Sequence, residues 1–394
     1  MRPFSNIDVL DLTQSIAGPF ATQLLGALGA NVVKVEPPGG DDFRGLLGGS
    51  MFAAFNMGDK RSICLDLKTE AGRESARALA AEADVVVESF RPGVVSQFDL
   101  DYESVRETNE EVVYCSITGF GDDGPYSDRP AYDPVLQAMS GLMSTVGYPD
   151  RPPVRIGASV IDCATGMTTA FAVAAALLER AGGGGGERID VALFEVAVSW
   201  MGYWIADHSA TGETPGRSRR GGFAGLTPNG AFPTGDDELV YVSVVNDTQF
   251  ERLCAAIERP EFAEEERFAT SEARWSNREA LYETLSDEFD AYDRGELVER
   301  LTEAGVPAGP VNDIDDIVDD SHVAARDVLT RSRNLRTGEQ VDTAGVPFVT
   351  NAGRPEMPGE PPAVGEHTRT ILAELGYSET QIDRMLEAGA AHDG

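Results

Sequence analysis

Apolar and polar positions alternate along the N-terminal third of the chain in a pattern that predicts strands separated by helices. The segments "IDVLDL" and "NVVKVE" have the apolar runs of buried strands, and the helical segment "FATQLLGALGA" lies between them. Two further strands, "ADVVVES" and "VVYCSITGFG", each follow helical sequence, "EAGRESARALAAEA" and "DYESVRETNEE". This alternation predicts an α/β fold whose parallel sheet is covered by helices on both faces.

The pattern changes beyond residue 210. A basic, glycine-rich loop, "RSRRGGFAGLTPNGAF", precedes a strand and a helix in "ELVYVSVVNDTQFERLCAAI", and acidic helical sequence continues to about Leu301. We predict a large domain whose first part is 1–210, a smaller α+β domain at 211–329, and a C-terminal segment at 330–394. That last segment holds a predicted strand, "GVPFVTNAG", and two short helices.

Long loops rich in glycine, proline and polar residues follow the predicted strands. They are "TQSIAGP", "EPPGGDDFR", "SFRPG" and "GFGDDGPYSDRPAYD". Because ligands of parallel α/β sheets bind at the carboxyl ends of the strands, we expect a ligand site there. The first strand is not followed by GxGxxG, and the glycine run at 182–186 lacks the GK[ST] of a phosphate loop, so neither nucleotide motif is indicated.

The charge of the chain is strongly negative. Among 394 residues there are 66 acidic and 32 basic ones, which gives a net charge of −34. Only Lys34, Lys60 and Lys68 are lysines, so 29 of the basic residues are arginines. Acids spread along the whole chain repel one another in dilute buffer and are screened at molar salt. We therefore expect adaptation to a very salty cytosol rather than a basic partner, and no binding to nucleic acid.

The sequence gives no indication of a membrane segment, a metal site or a disulfide framework. The segment "MRPFSNIDVLDL" lacks an apolar signal core, and no run approaches the roughly 18 uncharged apolar residues of a membrane span. The four cysteines form no CxxC pair, and the four histidines do not cluster. Cys163 is interpreted as a small buried hydrophobe rather than a thiolate nucleophile. We expect a cytoplasmic protein without a metal or a tightly bound cofactor.

Asp162 stands at the start of a long apolar stretch, "IDCATGMTTAFAVAAALLER", that predicts a buried helix. Aspartate is a preferred N-cap, which stabilises a helix by roughly 0.5–2 kcal/mol. A helix N-terminus also supplies partial positive charge and free N–H groups, which favour an ionised carboxylate and can hold a developing oxyanion. The pattern therefore allows Asp162 to be a cap, a reactive carboxylate, or both.

Several longer motifs occur together and in a fixed order. They are "AGPFATQLLGALGANVVKVEPPGGDDFR", "NMGDKRSICLDLKTEAGRE", "ADVVVESFRPG", "AYDPVLQAMSGLM", "GASVIDCATGM", "GVPAGPVNDI" and "AVGEHTRTILAELG". In these motifs the chain resembles, from end to end, the family III CoA-transferases, the group of formyl-CoA transferase and carnitine CoA-transferase. The resemblance implies two ring-like subunits interlocked in a homodimer. Each subunit would have a Rossmann-like large domain made from both chain ends and a small domain between them.

The resemblance implies that Asp162, in the segment "IDCATG", is the catalytic nucleophile. Its carboxylate would attack the thioester carbonyl of an acyl-CoA, and the released thiolate would then form an aspartyl-CoA thioester. An acceptor acid would take the CoA by the same path in reverse. Covalent catalysis of this kind splits one difficult exchange into easier steps. A coenzyme A thioester is thus expected as a substrate.

The resemblance also implies a CoA cleft at the strand ends. Lys68 and Arg91 suit the phosphates of CoA, and Arg44 is a further candidate. The segment "RRGGFAG" aligns with a glycine-rich loop that closes over the aspartate, which gives Gly221 and Gly222 as active-site loop residues; a plain inter-domain turn is the alternative. The expected CoA contacts are Ile16, Ala17, Arg44, Leu65, Asp66, Leu67, Lys68, Ser89, Phe90, Arg91, Ala131, Tyr132 and Asp133.

Three positions depart from related sequences. Pro37 and Gln97 stand where formyl-CoA transferases carry arginines, so the nucleotide end of CoA would be held by other arginines or more weakly. Tyr132 stands where α-methylacyl-CoA racemases of the same fold carry a histidine. A racemase needs that second base to move a proton across the α-carbon, so CoA transfer is favoured over racemisation.

We expect an intermolecular CoA-transferase that moves CoA from succinyl-CoA to a C4 or C5 dicarboxylate such as mesaconate, itaconate or malate. Arg44, Arg155, Arg219 and Arg220 are candidates to pair with a second carboxylate; alternatively they bind CoA phosphate or face solvent. Two further functions stay open. One is an intramolecular isomerase that moves CoA between the two carboxyls of one diacid, and the other is a non-catalytic CoA-binding protein.

Overall fold

Short apolar segments form strands and amphipathic segments form helices in the computed structural model, which describes residues 1–217 and 225–394. Within these residues the strands are β1 (Asp8–Leu12), β2 (Asn31–Glu36), β3 (Arg61–Leu65), β4 (Val85–Glu88), β5 (Val113–Thr118), β6 (Glu187–Ala192), β7 (Asn229–Pro233), β8 (Leu239–Ser243), β9 (Ala308–Pro310), β10 (Leu329–Arg333), β11 (Gln340–Ala344) and β12 (Ala391–His392).

The α-helices of the same residues are α1 (Ala17–Ala27), α2 (Ser50–Phe55), α3 (Glu70–Glu82), α4 (Tyr102–Arg106), α5 (Asp133–Met139), α6 (Val160–Ala181), α7 (Leu193–Trp200), α8 (Gly202–Thr211), α9 (Asp247–Ala256), α10 (Ser271–Ser276), α11 (Arg278–Phe289), α12 (Arg294–Glu303), α13 (Ile314–Val318), α14 (Ser321–Ala325), α15 (Thr368–Glu374) and α16 (Glu379–Glu387). Short 3₁₀ helices cover Asp42–Gly49, Val95–Phe98, Leu142–Thr145 and Pro260–Ala263.

The chain divides into two compact units. Unit 1 comprises Met1–Ser140, Gly157–Trp200 and Ser321–Gly394, and unit 2 comprises Gly141–Ile156 and Met201–Asp320. In unit 1 the last stretch returns to the sheet that the first stretch begins, because β12 pairs with β3. Unit 1 is therefore closed by the C-terminal end of the chain.

Unit 1 is built on a seven-stranded sheet in the order β12-β3-β2-β1-β4-β5-β6. All pairs are parallel except that of β12 with β3. This confirms the predicted α/β class and parallel sheet. Strand β1 pairs with β2 on one side and with β4 on the other, with Val9 opposite Val32 and Val85. The strand order therefore reverses direction between β1 and β4, and their carboxyl ends form the crevice where such sheets bind ligands.

The local pattern did not predict every strand of unit 1. Strand β3 begins with the polar residues Arg61 and Ser62, and β6 has polar residues at half of its positions; neither strand was predicted. The predicted strand "GVPFVTNAG" is wrong, since that segment forms only an isolated bridge between Thr350 and Gly353. Pro347 in its middle has no N–H to donate to a neighbouring strand, which explains the failure.

Unit 2 has its own sheet and its own core. Strands β7, β8 and β9 form an antiparallel sheet. Helices α9, α11 and α12 cover it, and Phe232, Phe250 and Phe289 are completely buried in the core between them. This arrangement confirms the smaller α+β domain.

One helix of the described residues, α6, is long and apolar enough to cross a membrane by length and composition alone. The expectation that no segment approaches this criterion is therefore wrong. Within unit 1, α6 packs against α1 and buries Ile161, Val173 and Leu177. The core helix of a soluble protein also meets this criterion of length and composition. On the face that contacts α1, α6 packs as a core helix does.

Candidate active site

A pocket of about 430 Å³ lies in unit 1 at the carboxyl ends of β1, β4 and β5. This is the crevice where the strand order reverses, so the pocket lies where the fold favours ligand binding. Seven of the expected site residues line it. They are Ala17, Ser89, Phe90, Arg91, Ala131, Tyr132 and Asp162.

A second pocket of about 130 Å³ adjoins the first at the carboxyl ends of β2 and β3. The residues Leu65, Asp66, Leu67 and Lys68 line it, as the resemblance implied. Gln14 and Phe90 belong to the walls of both pockets. The two pockets therefore adjoin at these two residues, and together they are called the groove below.

Asp162 lies inside helix α6 rather than in front of it. The helix begins at Val160, and its N-cap residue, Ser159, makes no side-chain capping bond. The cap role considered for Asp162 is therefore wrong. The acceptor comes from another helix instead, because Asp133 Oδ2 accepts hydrogen bonds from the backbone N–H of Ile161 (2.7 Å) and of Asp162 (3.3 Å). Asp133 thus satisfies two of the N–H groups that the first turn leaves unpaired.

The environment of Asp162 raises its pKa. Burial of the Asp162 carboxyl is the larger cause and the negative charge of Asp133 is the second, and together they bring its pKa to about 7. The expectation that the helix N-terminus keeps this carboxyl fully ionised is therefore not met: desolvation and a like charge outweigh it. Near neutral pH, Asp162 exists in both protonation states.

Cys163, the neighbour of Asp162, is not a thiolate. Burial and the charges of Asp162 and Asp133 raise the pKa of its thiol to about 11. The thiol is protonated at neutral pH, and thiols react as thiolates. The interpretation of Cys163 as a structural residue fits this environment.

Three of the expected contact residues lie outside the walls of both pockets. Ile16 is buried as the N-cap residue of α1. Asp133 is buried, and besides α6 it binds Gln137 Nε2 at 2.6 Å. Arg44 donates two hydrogen bonds to Glu36 (2.7 and 2.6 Å) and lies 3.8 Å over the ring of Phe52. Asp133 and Arg44 are thus engaged in contacts within unit 1, and Ile16 is part of its buried core.

A buried ionic network holds the loop after β1 in place. Lys34 Nζ donates to the carbonyl of Thr13 (2.7 Å) and forms an ion pair with Asp41 (3.3 Å). Lys60 Nζ donates to Asp11 Oδ2 (3.2 Å), and Asp11 Oδ1 accepts from the N–H of Thr13 (2.9 Å). Two of the three lysines in the chain are thus buried below the loop that enters the groove.

Several groove residues were not predicted from the sequence. Gln14 and Ser15 follow Thr13 directly and line the first pocket. Ser15 adopts a left-handed φ of 71°, and the N–H of Gln14 donates to Ser89 Oγ (3.1 Å), which joins the loops of β1 and β4. Arg129 lines the pocket of Asp162 as well. The sequence feature that could have indicated Arg129 is its position in the long loop after β5.

Helices α1 and α6 come close enough to require a glycine. A Cβ atom at Gly166 would lie 2.7 Å from the carbonyl oxygen of Ala17 and 3.0 Å from Cδ1 of Phe20. Gly166 therefore lets the first turn of α1, which lines the pocket, approach the helix that carries Asp162.

The remaining expected residues lie elsewhere. Gly221, Gly222, Arg219 and Arg220 lie outside the described residues. Arg155 belongs to unit 2, where its guanidinium donates to the carbonyl of Ile156 (3.2 Å). Among the described residues, histidine does not occur in the walls of either pocket. A second base of the racemase kind is therefore missing from this part of the site.

Comparisons with known proteins identify the family of the chain. The chain is 36% identical over 386 residues to the succinate–glutarate CoA-transferase of Agrobacterium fabrum (95% of this chain, 96% of the relative). It is 36% identical over 390 residues to the succinyl-CoA:mesaconate CoA-transferase of Haloarcula hispanica (95% and 97%). The crystal structure of a CaiB/BaiF family protein from Brucella suis superposes with a TM-score of 0.84 at 37% identity, covering 95% of this chain and 99% of that one. Residues 4–368 match the model of CoA-transferase family III, and the chain therefore belongs to that family, as its motifs indicated.

Proposed function

We propose that the protein transfers CoA from succinyl-CoA to a small dicarboxylate and that Asp162 carries the CoA between them. The observation that supports this most is the placement of Asp162, a half-buried carboxylate in the first turn of α6, in the wall of a pocket that adjoins the pocket of Lys68. Relatives named for succinyl-CoA with glutarate, mesaconate or D-citramalate support the choice of substrates. The acceptor is then a C4 or C5 diacid.

The reaction needs only carboxylates and a thiolate. Asp162 attacks the thioester carbonyl of succinyl-CoA, which forms a mixed anhydride and releases CoA thiolate. The thiolate attacks the Asp162 carbonyl of that anhydride, releases succinate and leaves an aspartyl-CoA thioester. The acceptor carboxylate attacks this thioester, and the thiolate released again attacks the acceptor carbonyl and frees Asp162. Because every nucleophile reacts as an anion, the cycle works without a general base once Asp162 is ionised.

The groove suggests how CoA lies in it. The second pocket has apolar walls from Leu12, Val35 and Phe98, which suit a flat adenine ring, and Lys68 at its edge suits a phosphate. Arg91 is exposed in the wall of the first pocket and offers a second cation. The pantetheine arm would then pass Gln14 and Phe90 toward Asp162. In this arrangement Lys68 and Arg91 act in place of the arginines that Pro37 and Gln97 replace.

Two alternatives use the same groove. An intramolecular isomerase would use the same chemistry of Asp162 but would not exchange CoA with an added acid. A non-catalytic CoA-binding protein would need the groove but would have no use for the carboxylate of Asp162. The placement of a raised-pKa carboxylate in the pocket wall favours chemistry over binding alone.

We further propose that the protein is a homodimer that covers the open face of α6. Phe171 and Leu178 lie on this helix with 75% and 77% of their surface exposed, and Met167 is also exposed on it. Large apolar residues grouped on one helix face are typical of an interface. Sedimentation at molar salt should give a dimer for the native protein and a monomer for Phe171→Asp; a dimer in both cases would contradict this interface.

The test of the transfer reaction is direct. The purified protein is incubated at molar salt with succinyl-CoA and, in turn, glutarate, mesaconate, citramalate, itaconate and malate, and new CoA thioesters are identified by mass. We expect a new thioester with at least one acceptor and a loss of at least about a thousandfold in Asp162→Asn. A folded protein that binds CoA but forms no new thioester from any acyl-CoA would contradict the proposal.

A further inference from the structure

Arg129 is an exposed arginine in the wall of the pocket that contains Asp162. It belongs to the loop between β5 and α5, four residues before Asp133, which contacts the first turn of α6. In the described part of the chain, Arg129 forms no ion pair with any carboxylate. In a protein with 66 acidic residues, this guanidinium is therefore available to an anion that enters the pocket.

Aromatic side chains hold Arg129 in position. Its guanidinium lies 3.8 Å from the centre of the Tyr126 ring. The Tyr126 ring packs edge-on against Phe120 at 5.6 Å, and Phe120 packs on Phe194 at the same distance. Phe120 is buried, so this series of rings connects Arg129 to the body of unit 1. Such support reduces the entropy that the arginine loses when it binds a ligand.

We propose that Arg129 binds the free carboxylate of the dicarboxylate while the other carboxyl reacts at Asp162. This inference rests on the proposed function and names the residue that selects diacids. The two carboxyl carbons of an extended C4 or C5 diacid are roughly 4–5 Å apart, from C–C bonds of about 1.5 Å. A guanidinium and a carboxylate form two parallel hydrogen bonds, which suits a planar terminal carboxylate.

Arg91 is the other arginine in the same pocket wall, and its surroundings differ. It follows Phe90, which also lines the second pocket, and it contacts a further cavity that contains the buried Glu88. Arg91 is thus the chain neighbour of a residue that lines both pockets. Arg129 lies on the side of the loop that leads to Asp133 and Asp162. The two arginines therefore have separate tasks: Arg91 binds CoA and Arg129 binds the acyl group.

The test compares acyl groups that differ only in the terminal carboxylate. The proteins compared are the native protein, Arg129→Gln and Arg129→Lys. For each, we measure initial rates with succinyl-CoA and with butyryl-CoA as donors. We also measure the inhibition constant of butyryl-CoA against succinyl-CoA. We expect Arg129→Gln to lower kcat/KM for succinyl-CoA at least about a hundredfold, because the site loses the group that pairs a charged substrate atom. The inhibition constant of butyryl-CoA should change less than threefold. Arg129→Lys should recover part of the loss, since it restores the charge without the paired hydrogen bonds.

Arg91→Gln is the matched control in the same pocket. Arg91→Gln should weaken the binding of succinyl-CoA and of butyryl-CoA by equal factors, because both substrates carry the same CoA. The inference is wrong if Arg129→Gln also weakens the binding of both thioesters equally, or if it leaves kcat/KM for succinyl-CoA unchanged. The transfer reaction itself would still stand. If the native protein transfers CoA from no acyl-CoA at all, the proposed function fails and this inference with it.

Discussion

Asp133 Oδ2 accepts a hydrogen bond from the backbone N–H of Asp162 at 3.3 Å, so two carboxylates belong to one helix N-terminus. The first holds the turn in place, and the second lines the pocket. Their closeness has an electrostatic consequence, because burial and the charge of Asp133 both raise the pKa of Asp162. Asp133 therefore both holds the turn of Asp162 and, together with burial, raises the pH at which the Asp162 carboxyl is ionised.

The first prediction concerns pH. In the proposed reaction Asp162 must be ionised to attack. Because its pKa is raised to about 7, kcat/KM should fall as the pH drops below about 7. In Asp133→Asn a negative charge is removed while an oxygen stays to accept the N–H of Ile161, so the pKa of Asp162 falls and the acid limb should move to lower pH.

Asp128→Asn is the control for this shift. Asp128 lies exposed in the same loop, and its removal should leave the midpoint of the acid limb unchanged. An acid limb in Asp133→Asn that stays at its native position, in a variant that keeps the native melting temperature, would show that Asp133 does not act on Asp162.

The second prediction concerns the contact of α1 with α6. Gly166→Ala places a Cβ atom 2.7 Å from the carbonyl oxygen of Ala17, so the two helices have to separate. We expect a destabilisation of about 1–3 kcal/mol in urea unfolding and a loss of activity of about a hundredfold, because Asp162 shifts relative to the groove.

Gly295→Ala is the matched change in α12, where a Cβ atom has no neighbour within 4 Å. It should leave both quantities close to native. Equal activity in Gly166→Ala and Gly295→Ala would mean that the spacing of the two helices is unimportant for the site.

The third prediction concerns the buried lysines. Lys60 and Asp11 are completely or almost completely buried and lie 3.2 Å apart. Lys60→Met removes one partner and leaves a buried charge, which should cost about 3–5 kcal/mol of the free energy of unfolding. Lys68→Met, at an exposed position, should change it by about 0.5 kcal/mol or less. Equal effects of the two substitutions on urea unfolding would contradict the role of the network.

The fourth prediction concerns salt. The net charge of −34 repels itself over long distances in dilute buffer, whereas at about 1 M salt the Debye length is only about 3 Å. The melting temperature should therefore rise steadily from dilute buffer to molar KCl. A melting temperature independent of KCl would end the hypothesis of a protein adapted to a salty cytosol.

The sequence pattern predicts the parts of the fold whose cause is local. Strands β1, β2, β4 and β5 are recognisable because apolar residues recur along each of them and helical sequence stands between them. The carboxyl-end loops follow from that sheet and contain Arg91, whereas Asp162 and Lys68 were indicated by the longer motifs. The pattern did not predict β3, which has only three consecutive apolar residues after Arg61 and Ser62, or β6, in which polar residues hold half of the positions.

The parts that the sequence does not predict depend on residues distant in the chain. Helix α6 begins before Asp162 because its capping acceptor, Asp133, comes from 28 residues earlier than Ile161. Local capping rules search the flank of the helix itself and cannot find such a partner. The raised pKa of Asp162 likewise depends on burial and on Asp133, which are set by distant parts of the chain. The position of Arg129 depends on ring contacts that extend from Tyr126 through Phe120 to Phe194.

The most direct test of the account is a covalent trap at Asp162. The protein is incubated with succinyl-CoA and hydroxylamine, which attacks an aspartyl-CoA thioester to give a hydroxamate and free CoA thiol, and the modified peptide is identified by mass. The account predicts a hydroxamate on Asp162 that requires succinyl-CoA and is absent in Asp162→Asn. An unmodified Asp162 in protein that is actively transferring CoA, or native transfer rates in Asp162→Asn, would contradict it.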